Sequence, residues 1–285
     1  RIFSWEAADI LLYYSNLLKS SNEKNKIIKN TNIKDPVTLA DLKVNEIIIK
    51  RINEKYKNIS WEILSEEYSK LSTYKLKLNT DWLWILDPLD GTKDFIQGTE
   101  NYAMHLALNF KNIPYLGIVL IPNKDELWIS YGNKVWCERR DGSVLSTKVE
   151  CGKNLREMTL VTSKNHRNKA LNALIEKISF KEVVVMGSIG CKIASIIRGE
   201  SDIYICMSMP NQSCPKDWDI AAPEAVLKAA GGAITNLNNE SLTYNKINFE
   251  QEGIIIASND KTNHNKICLE IKKVIKNYDL YPLKN

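Results

Sequence analysis

The stretch that decides the fold is Trp82–Thr92, which reads WLWILDPLDGT. Its leading apolar residues predict a buried strand that ends in a carboxylate at Asp87. Pro88 has no N–H to donate, so we expect the pairing of the strand to stop there. Asp90 brings a second carboxylate, and the Gly-Thr pair after it can open a helix. Two carboxylates and free backbone amides therefore converge at the C-terminal end of one strand.

Two carboxylates at a strand end indicate a site for a cation and a phosphate. Carboxylates this close repel each other unless a cation or a shared proton neutralises them. Hard oxygen ligands suit Mg²⁺, and free backbone N–H groups at a turn suit a phosphate. The alternative is a capped turn, because Asp-Pro and Asp-Gly are common turn dipeptides. The complete hexapeptide after a strand favours a metal-dependent phosphoryl site.

Acidic residues elsewhere in the chain can supply further ligands. Glu66 and Glu67 follow a short apolar stretch, although a pair of glutamates is often simply solvated. Asp219 opens a segment of small residues, where its alternative role is a helix N-cap. Asp41 has the same alternative at the start of its own helix. Together with the hexapeptide, these residues provide the carboxylates that a site for several metal ions needs.

Five motifs in order resemble those of one superfamily of phosphatases. The motifs are Asp35–Asp41, Leu64–Glu67, Asp87–Thr92, Gly187-Ser188 and Trp218-Asp219 with its trailing Ala-Gly-Gly. Over nearly its whole length the chain resembles the lithium-sensitive, magnesium-dependent superfamily of inositol monophosphatases, fructose-1,6-bisphosphatases and 3'(2'),5'-bisphosphate nucleotidases. The resemblance implies a layered αβαβα sugar-phosphatase fold, of the α+β or α/β class. It also implies hydrolysis of a small phosphate ester.

The resemblance implies two or three Mg²⁺ ions as cofactors. One ion would be held by Glu66, Asp87 and the backbone carbonyl of Leu89. A second would be held by Asp87, Asp90 and Asp219, beside the leaving oxygen. A third, more weakly bound ion would lie near Glu66 and polarise the attacking water.

The resemblance also implies the catalytic residues. Thr92, hydrogen-bonded to Asp41, would orient the attacking water, since a hydroxyl can donate and accept at once. Gly91 would leave room for the phosphate to approach the backbone N–H groups.

The residues after the hexapeptide favour the nucleotidase branch of the superfamily. Lys93-Asp94-Phe95 is similar to the nucleotidase pattern, whereas inositol monophosphatases usually continue Thr-Asn-Phe. Ser163–His166 resembles a Ser-x-x-His segment that contacts nucleotide in that branch, although His166 is also typical of an exposed loop. The resemblance thus favours 3'-phosphoadenosine 5'-phosphate as substrate, with its sulfated relative as a further candidate. The expected substrate contacts are Gly91, Thr92, Lys93, His166, Ser188 and Lys192.

Two departures from the nucleotidase pattern keep other substrates open. Ser188 and Lys192 are one residue further apart than in the Ser-x-x-Lys motif of that branch. Cys206 stands where the branch tends to carry Arg, and a thiol cannot make the bidentate phosphate contact of a guanidinium. Lys216 and Arg167 are candidates for the missing charge. Activity on inositol monophosphate or fructose bisphosphate therefore stays an alternative.

Two other classes of protein compete with this interpretation. Asp-Gly-Thr also resembles haloacid-dehalogenase-like phosphatases, which use a nucleophilic Asp and a second Asp two residues later. That second position is Leu89 here, so we do not expect a covalent aspartyl-phosphate. A non-catalytic module that binds a metal or a nucleotide is the other alternative. The intact set of carboxylates around a threonine argues against it.

The order of predicted elements divides the chain into two halves. Helical periodicity covers Ser4–Lys19 and Asp41–Lys57, and a pattern of antiparallel strands follows over Ala103–Ser146. Strands and helices alternate in the rest of the chain. We therefore expect an N-terminal α+β half over residues 1–152 and a C-terminal α/β half over residues 153–285. A pocket often forms between two such halves, so we place the active site there.

Composition argues against several other kinds of protein. At 285 residues the chain is long enough for one large core or two moderate ones. Its apolar runs are too short to cross a membrane, and its formal charge of +5 is dispersed along the chain. The 6 cysteines form no Cys-x-x-Cys pair, which favours free thiols in a reducing cytoplasm. We expect a cytoplasmic monomer or homodimer that binds neither membranes nor nucleic acid polymers.

Overall fold

A computed structural model describes residues 1–20, 27–30, 37–71, 77–147, 149, 151–164 and 167–283 of the chain. Two features of the sequence analysis lie outside these residues. They are Asp35-Pro36, at the start of the first motif, and His166, the expected nucleotide contact.

The described residues form eight α-helices and fourteen strands. The helices are α1 (Ile2–Ser20), α2 (Leu39–Lys55), α3 (Glu66–Leu71), α4 (Thr92–Gln97), α5 (Lys169–Ile178), α6 (Ile189–Ile197), α7 (Asp217–Ala229) and α8 (His264–Asn277). The first nine strands are β1 (Ile28–Asn30), β2 (Val37–Thr38), β3 (Glu62–Ser65), β4 (Trp82–Asp90), β5 (Ala103–Phe110), β6 (Ile113–Ile121), β7 (Glu126–Tyr131), β8 (Lys134–Glu138) and β9 (Val144–Leu145). The remaining strands are β10 (Thr159–Ser163), β11 (Glu182–Met186), β12 (Ile203–Ser208), β13 (Ala233–Asn236) and β14 (Gly253–Ser258).

The first large sheet has seven strands in the order β3-β4-β5-β6-β7-β8-β9. Strands β3 and β4 are parallel, and every later neighbour is antiparallel, so the predicted meander is confirmed. Alternate residues of each strand face opposite sides of the sheet. On one side, Leu86 and Leu120 join Leu11 of α1 and Ile48 of α2 in a buried cluster. Helices α1 and α2 therefore cover the outer face of this sheet.

The second large sheet has five strands in the order β11-β10-β12-β14-β13. Strand β10 is parallel to β11 and β12, whereas β14 is antiparallel to β12 and β13. Its outer face packs on α5 and α8, where Leu171 and Ile271 join Ile205 and Ile256 in one cluster.

Helices α6 and α7 form the layer between the two sheets. Ile193 and Ala221 from these helices share a buried cluster with Val119 of the first sheet and Val161 of the second. The order of layers is α, β, α, β, α, which confirms the fold that the resemblance implied. All strands of the first sheet precede residue 152 and all strands of the second follow it. The division into two domains at that residue stays a prediction.

Strand β4 is longer than the sequence predicts. Asp87 pairs with His105 and Asp90 pairs with Ala103, with a shift of register between the two pairs. Pro88 interrupts the ladder, as expected from its missing N–H, but the chain resumes pairing two residues later. The irregularity places both aspartates at the same end of the strand.

None of the helices in the described ranges has both the length and the apolar character that crossing a membrane requires. All six cysteines are free thiols in this structure.

Candidate active site

Three carboxylates converge where β4 ends and α7 begins. Asp87 and Asp90 lie at the end of β4, and Asp219 lies in the first turn of α7. One carboxylate oxygen from each residue lies within 4.8 Å of one from each of the others. Burial raises the pKa of Asp87 and Asp219 well above the usual carboxyl value, and the charges of neighbouring carboxylates raise it further. The cluster therefore contains repulsion that a cation would offset.

Glu66 extends this acidic cluster beside Asp87. It is the first residue of α3, directly after β3, and the parallel register pairs Ser65 with Leu86. Burial raises the pKa of Glu66 to about 7, although the ammonium of Lys70, 3.0 Å from its Oε1, opposes the rise. The charge of Glu66 in turn raises the pKa of Asp87, so the two carboxylates act on each other.

One oxygen of Asp90 is held by the start of α6. Its Oδ2 accepts hydrogen bonds from Ser188 Oγ at 2.8 Å, from the backbone N–H of Ile189 and, at 3.4 Å, from that of Gly190. Ser188 is the N-cap of α6 and has a φ of 41°, which is strained for a residue other than glycine. No described residue donates to Oδ1 of Asp90. That oxygen is therefore the one available to a cation.

Asp41 and Asp219 are each the third residue of their helix, so the N-cap alternative is wrong for both. Asp41 Oδ2 accepts from the backbone N of Thr38 at 2.8 Å and from its hydroxyl at 2.5 Å. Asp219 Oδ2 accepts from the backbone N of Lys216 at 2.6 Å. In both cases the carboxylate reaches back to the N–H of the cap residue, as in a capping box. This contact uses one oxygen and leaves the other for a second role.

Thr92 lies between the carbonyl of Leu89 and the carboxylate of Asp41. Its Oγ1 is 3.0 Å from the Leu89 oxygen and 3.3 Å from Asp41 Oδ1. A hydroxyl has one hydrogen to donate, so it can satisfy only one of these acceptors at a time and keeps its lone pairs free. Burial raises the pKa of Asp41 to about 7, against the hydrogen bonds from Thr38 and with the help of the Glu66 charge.

The backbone conformation and close packing at position 91 require a glycine. It is the N-cap of α4 and has a φ of 89°, in the left-handed region. A Cβ at this position would lie 2.8 Å from the carbonyl oxygen of Asn101 and 3.2 Å from the backbone N of Ser188. The close neighbour of Gly91 is thus protein backbone. Its expected contact with a phosphate stays a prediction.

The expected substrate contacts differ in how accessible they are. Lys93 is partly exposed in the first turn of α4, whereas Lys192 is buried in α6. The Lys192 ammonium donates to the carbonyl of Gly187 at 3.1 Å and lies 5.4 Å from the ring centre of Tyr204. Burial lowers the pKa of Lys192. Whether these residues contact a substrate stays a prediction.

Cys206 stands where the nucleotidase branch tends to carry an arginine, and the two candidates for the absent charge both have partners elsewhere. Cys206 is partly exposed in β12, and its Sγ is 3.8 Å from Ser208 Oγ. The Lys216 ammonium is 2.6 Å from Glu250, so this candidate for the missing charge already has an anionic partner. The other candidate, Arg167, donates through Nε to Asn172 at 2.8 Å.

A buried histidine behind Asp90 was not predicted. His105 lies on β5, fully buried, with Nε2 at 3.4 Å from Asp90 Oδ2. Burial lowers the pKa of its ring, while the Asp90 carboxylate and the carbonyl of Trp218 favour the protonated form. The only signal in the sequence is one polar residue on the face of β5 that also carries Ala103 and Ala107. A core histidine is the usual interpretation of such a signal.

The layered fold and its carboxylate cluster fit a phosphatase of a metal-dependent family. The chain belongs to the inositol monophosphatase family, whose model matches residues 4–276. A relative from Buchnera aphidicola, named 3'(2'),5'-bisphosphate nucleotidase CysQ, is 30% identical over 228 residues, or 78% of this chain and 80% of the relative.

Solved structures share the fold at lower identity. The inositol monophosphatase from Anabaena superposes with a TM-score of 0.70 and 23% identity, covering 94% of this chain and 92% of that one. The staphylococcal enzyme SaIMPase-II, solved with 2'AMP bound, superposes with a TM-score of 0.69 and 20% identity, covering 97% and 92%. The same enzyme was also solved with inositol monophosphate bound.

Proposed function

We propose that this chain is a Mg²⁺-dependent 3'(2'),5'-bisphosphate nucleotidase that hydrolyses 3'-phosphoadenosine 5'-phosphate to AMP and phosphate. One observation carries the reaction type: the repelling carboxylates at the end of β4, with the Thr92 hydroxyl held between Leu89 and Asp41 beside them. The substrate rests on the nucleotidase relative and on the residues Lys93-Asp94-Phe95.

The donor set fits Mg²⁺. Carboxylate and carbonyl oxygens are the ligands this ion prefers, and crowded like charges are what a divalent cation offsets. The residues that would hold two or three ions are Glu66, Asp87, Asp90, Asp219 and, through its carbonyl, Leu89. Bound there, Mg²⁺ would neutralise charge on the phosphate, lower the pKa of the attacking water and stabilise the leaving alkoxide.

Thr92 and Asp41 would orient the water and take its proton. When Thr92 donates to Asp41, a lone pair on Thr92 is free to accept a hydrogen bond from the water. The water oxygen forms a bond to phosphorus while the ester P–O bond breaks in line. The proton of the water passes through Thr92 to Asp41, whose pKa of about 7 suits a general base at neutral pH. The leaving oxygen takes a proton from a solvent water and becomes the 3'-hydroxyl of AMP.

Inositol monophosphatase activity is the second candidate. Its support is that SaIMPase-II, on the same fold, was solved with either 2'AMP or inositol monophosphate bound. Cys206, in place of an arginine, also removes a group that would favour a second phosphate. Fructose-1,6-bisphosphatase activity is tested alongside.

A substrate panel tests the proposal. We expect phosphate release that needs MgCl2 and stops with EDTA. The highest kcat/KM is expected for 3'-phosphoadenosine 5'-phosphate, ahead of inositol 1-phosphate and fructose 1,6-bisphosphate. A higher kcat/KM for inositol 1-phosphate would favour the second candidate, inositol monophosphatase activity. If no ester is hydrolysed but the nucleotide binds in calorimetry, the chain is a binding module. A trapped phosphoenzyme would contradict attack by water.

A lysine variant sharpens the choice of substrate. Lys93→Thr introduces the residue typical of inositol monophosphatases, so it should lower kcat/KM for the adenosine bisphosphate relative to inositol 1-phosphate. Lys266→Thr is the matched control, because Lys266 is exposed on α8 and lies 3.9 Å from Glu270. An equal loss on both substrates would show that Lys93 does not discriminate between them.

A further inference from the structure

Three hydrogen bonds hold one oxygen of Asp90, and a histidine nitrogen lies close to the same oxygen. Ser188 Oγ and the backbone N–H groups of Ile189 and Gly190 approach Oδ2 from the start of α6. His105 approaches the same oxygen from β5, with Nε2 at 3.4 Å. Because the donors gather on Oδ2, they orient the carboxylate as a whole, and no described residue donates to Oδ1. The direction of Oδ1 thus depends on what holds Oδ2.

His105 lies at the point where the three elements of the cluster meet. Its backbone pairs with Asp87 across the β4–β5 ladder, and directly opposite residues share one face of a sheet. Its ring faces Asp90 and also the carbonyl of Trp218, the residue before Asp219. One imidazole therefore borders the segments that carry all three carboxylates.

The imidazole is buried without a hydrogen bond of regular geometry. Its side chain is 0% exposed, and within the described ranges neither ring nitrogen has a partner at regular distance and angle. Buried polar atoms of this kind are uncommon, because removing them from water costs free energy. A leucine would fill the space without that cost. The two ring nitrogens are therefore available to a partner beside Asp90.

The first turn of α6 is shaped around this ring. A Cβ on Gly190 would run into His105 Nε2 and would lie 2.8 Å from a methyl group of Val119. A larger residue at position 190 would displace the ring or the helix. Gly190 thus allows the imidazole and the N-terminal amides of α6 to reach the same carboxylate.

We propose that His105 is a positioning residue whose ring N–H holds Asp90 Oδ2, so that Oδ1 is directed at the cation shared with Asp87 and Asp219. The inference rests on the proposed function only in assigning that cation to this cluster. Its consequence is a defined metal affinity, which can be measured without turnover.

The test compares five variants by calorimetric titration with Mn²⁺ in the absence of substrate. His105→Leu removes the donor at similar volume, His105→Asn keeps an N–H, and Gly190→Ala displaces the ring without removing it. The controls are His264→Leu, at a second buried histidine bonded to Ser258 and Thr235, and Gly232→Ala, at a second crowded glycine. Each variant is also assayed for its Tm, for KM at saturating Mg²⁺ and for the Mg²⁺ concentration that gives half-maximal phosphate release.

We expect His105→Leu and Gly190→Ala to weaken Mn²⁺ binding about tenfold or more, as loss of a group that orients a metal ligand does. His105→Asn should recover most of the affinity. The Mg²⁺ requirement should rise in parallel while KM for the ester changes little. Both controls should lower Tm and leave Mn²⁺ binding unchanged.

Several results would overturn the inference. Unchanged Mn²⁺ affinity in folded His105→Leu would do so, as would equal losses in the Leu and Asn variants. If Mn²⁺ affinity falls equally in both controls, general destabilisation of the fold, and not the loss of His105, is the cause. If His105→Leu does not fold, unchanged binding in Gly190→Ala decides against the inference. If the wild type binds Mn²⁺ but hydrolyses no ester, the proposed function is wrong. The Mn²⁺ affinities of the variants still test whether His105 positions Asp90.

Discussion

The two large sheets carry buried aspartates in opposite surroundings. Asp202, directly before β12, accepts hydrogen bonds from the Thr159 backbone at 2.8 Å and from Asn259 at 3.0 Å, and pairs with Lys153 at 2.9 Å. At the end of β4, Asp87 accepts one hydrogen bond from backbone, from Leu89, and otherwise faces like charges.

Asp260, two residues after β14, differs from Asp219 in the direction of its pKa shift. Burial raises the pKa of Asp260, but hydrogen bonds from Asn263 and Gly152 outweigh it, so the net pKa lies below the usual value. The pKa of Asp219 is raised by burial and by neighbouring carboxylates. What separates Asp260 from Asp87 and Asp219 is the balance around the carboxylate: hydrogen-bond donors outweigh burial at Asp260, whereas neighbouring carboxylates add to the effect of burial at the other two.

The largest effect should come from removing one charge of the cluster. Asp90→Asn keeps the shape and an oxygen for the start of α6, yet removes the charge of a proposed metal ligand. We expect kcat to fall by about two orders of magnitude or more. Steady-state rates at saturating Mg²⁺, with Tm as a measure of folding, check this. Near-normal turnover would remove Asp90 from the proposed metal site.

The next effect should come from Thr92, the residue whose hydroxyl is proposed to orient the water. Thr92→Ala should lower kcat by at least about tenfold and change KM little, because the hydroxyl acts on the water rather than on substrate affinity. Thr92→Ser, which keeps the hydroxyl, is the matched control. If KM rises while kcat is preserved, Thr92 binds the phosphate and another group orients the water.

The opposite pattern is expected at the structural aspartate. Asp202→Ala leaves the Thr159 N–H and Asn259 without their acceptor, so it should lower the free energy of unfolding by about 3 kcal/mol. The Mg²⁺ concentration for half-maximal activity should not change. Urea unfolding and a Mg²⁺ titration of activity measure both quantities. A shift in the Mg²⁺ requirement would mean that the two sheets are coupled more closely than this comparison allows.

Inhibition by Li⁺, which carries half the charge of Mg²⁺, tests the carboxylate cluster as a cation site. Li⁺ is similar to Mg²⁺ in size, so it can enter the pocket of Asp87, Asp90 and Asp219, but it offsets less charge on the leaving oxygen. We expect uncompetitive or mixed inhibition at millimolar order, as the resemblance implies. A LiCl series with NaCl at equal ionic strength measures it. Inhibition that high substrate abolishes would place Li⁺ elsewhere.

The smallest effect concerns stability and pH without metal. Burial raises the pKa of Glu66 and Asp41 to about 7, so the folded protein binds these protons more tightly than the unfolded chain. Their contribution to stability is complete below the usual carboxyl pKa and is lost as pH rises towards 7 and above.

Melting curves in EDTA should therefore show Tm falling between about pH 5 and pH 8, a range set by those raised pKa values. Adding Mg²⁺ at pH 8 should restore much of the loss. Glu66→Gln should flatten the fall. In Asp260→Asn the fall should persist, because the lowered pKa of Asp260 contributes stability that is lost only in acid. A Tm independent of pH in EDTA would contradict the repulsion within the cluster.

Local features of the sequence predicted the elements well, because each depends on a short window of residues. The apolar runs of β4 and β5 predict buried strands, and Pro88 interrupts pairing as its chemistry requires. The helix starts were less accurate. Asp41 and Asp219 were considered as caps, but each lies at the third residue and reaches back to the cap. A capping box and a simple cap differ by a few positions that composition does not separate.

By itself, the sequence determined the strand that ends in two carboxylates, the glycine and threonine that follow, and the meander after them. Only the tertiary structure decided that Asp90 meets the start of α6, about a hundred residues later in the chain, and that His105 lies behind it. The physical reason is that periodicity reports which face of an element is buried. It does not report which element covers that face, because that choice depends on packing between segments far apart in the chain.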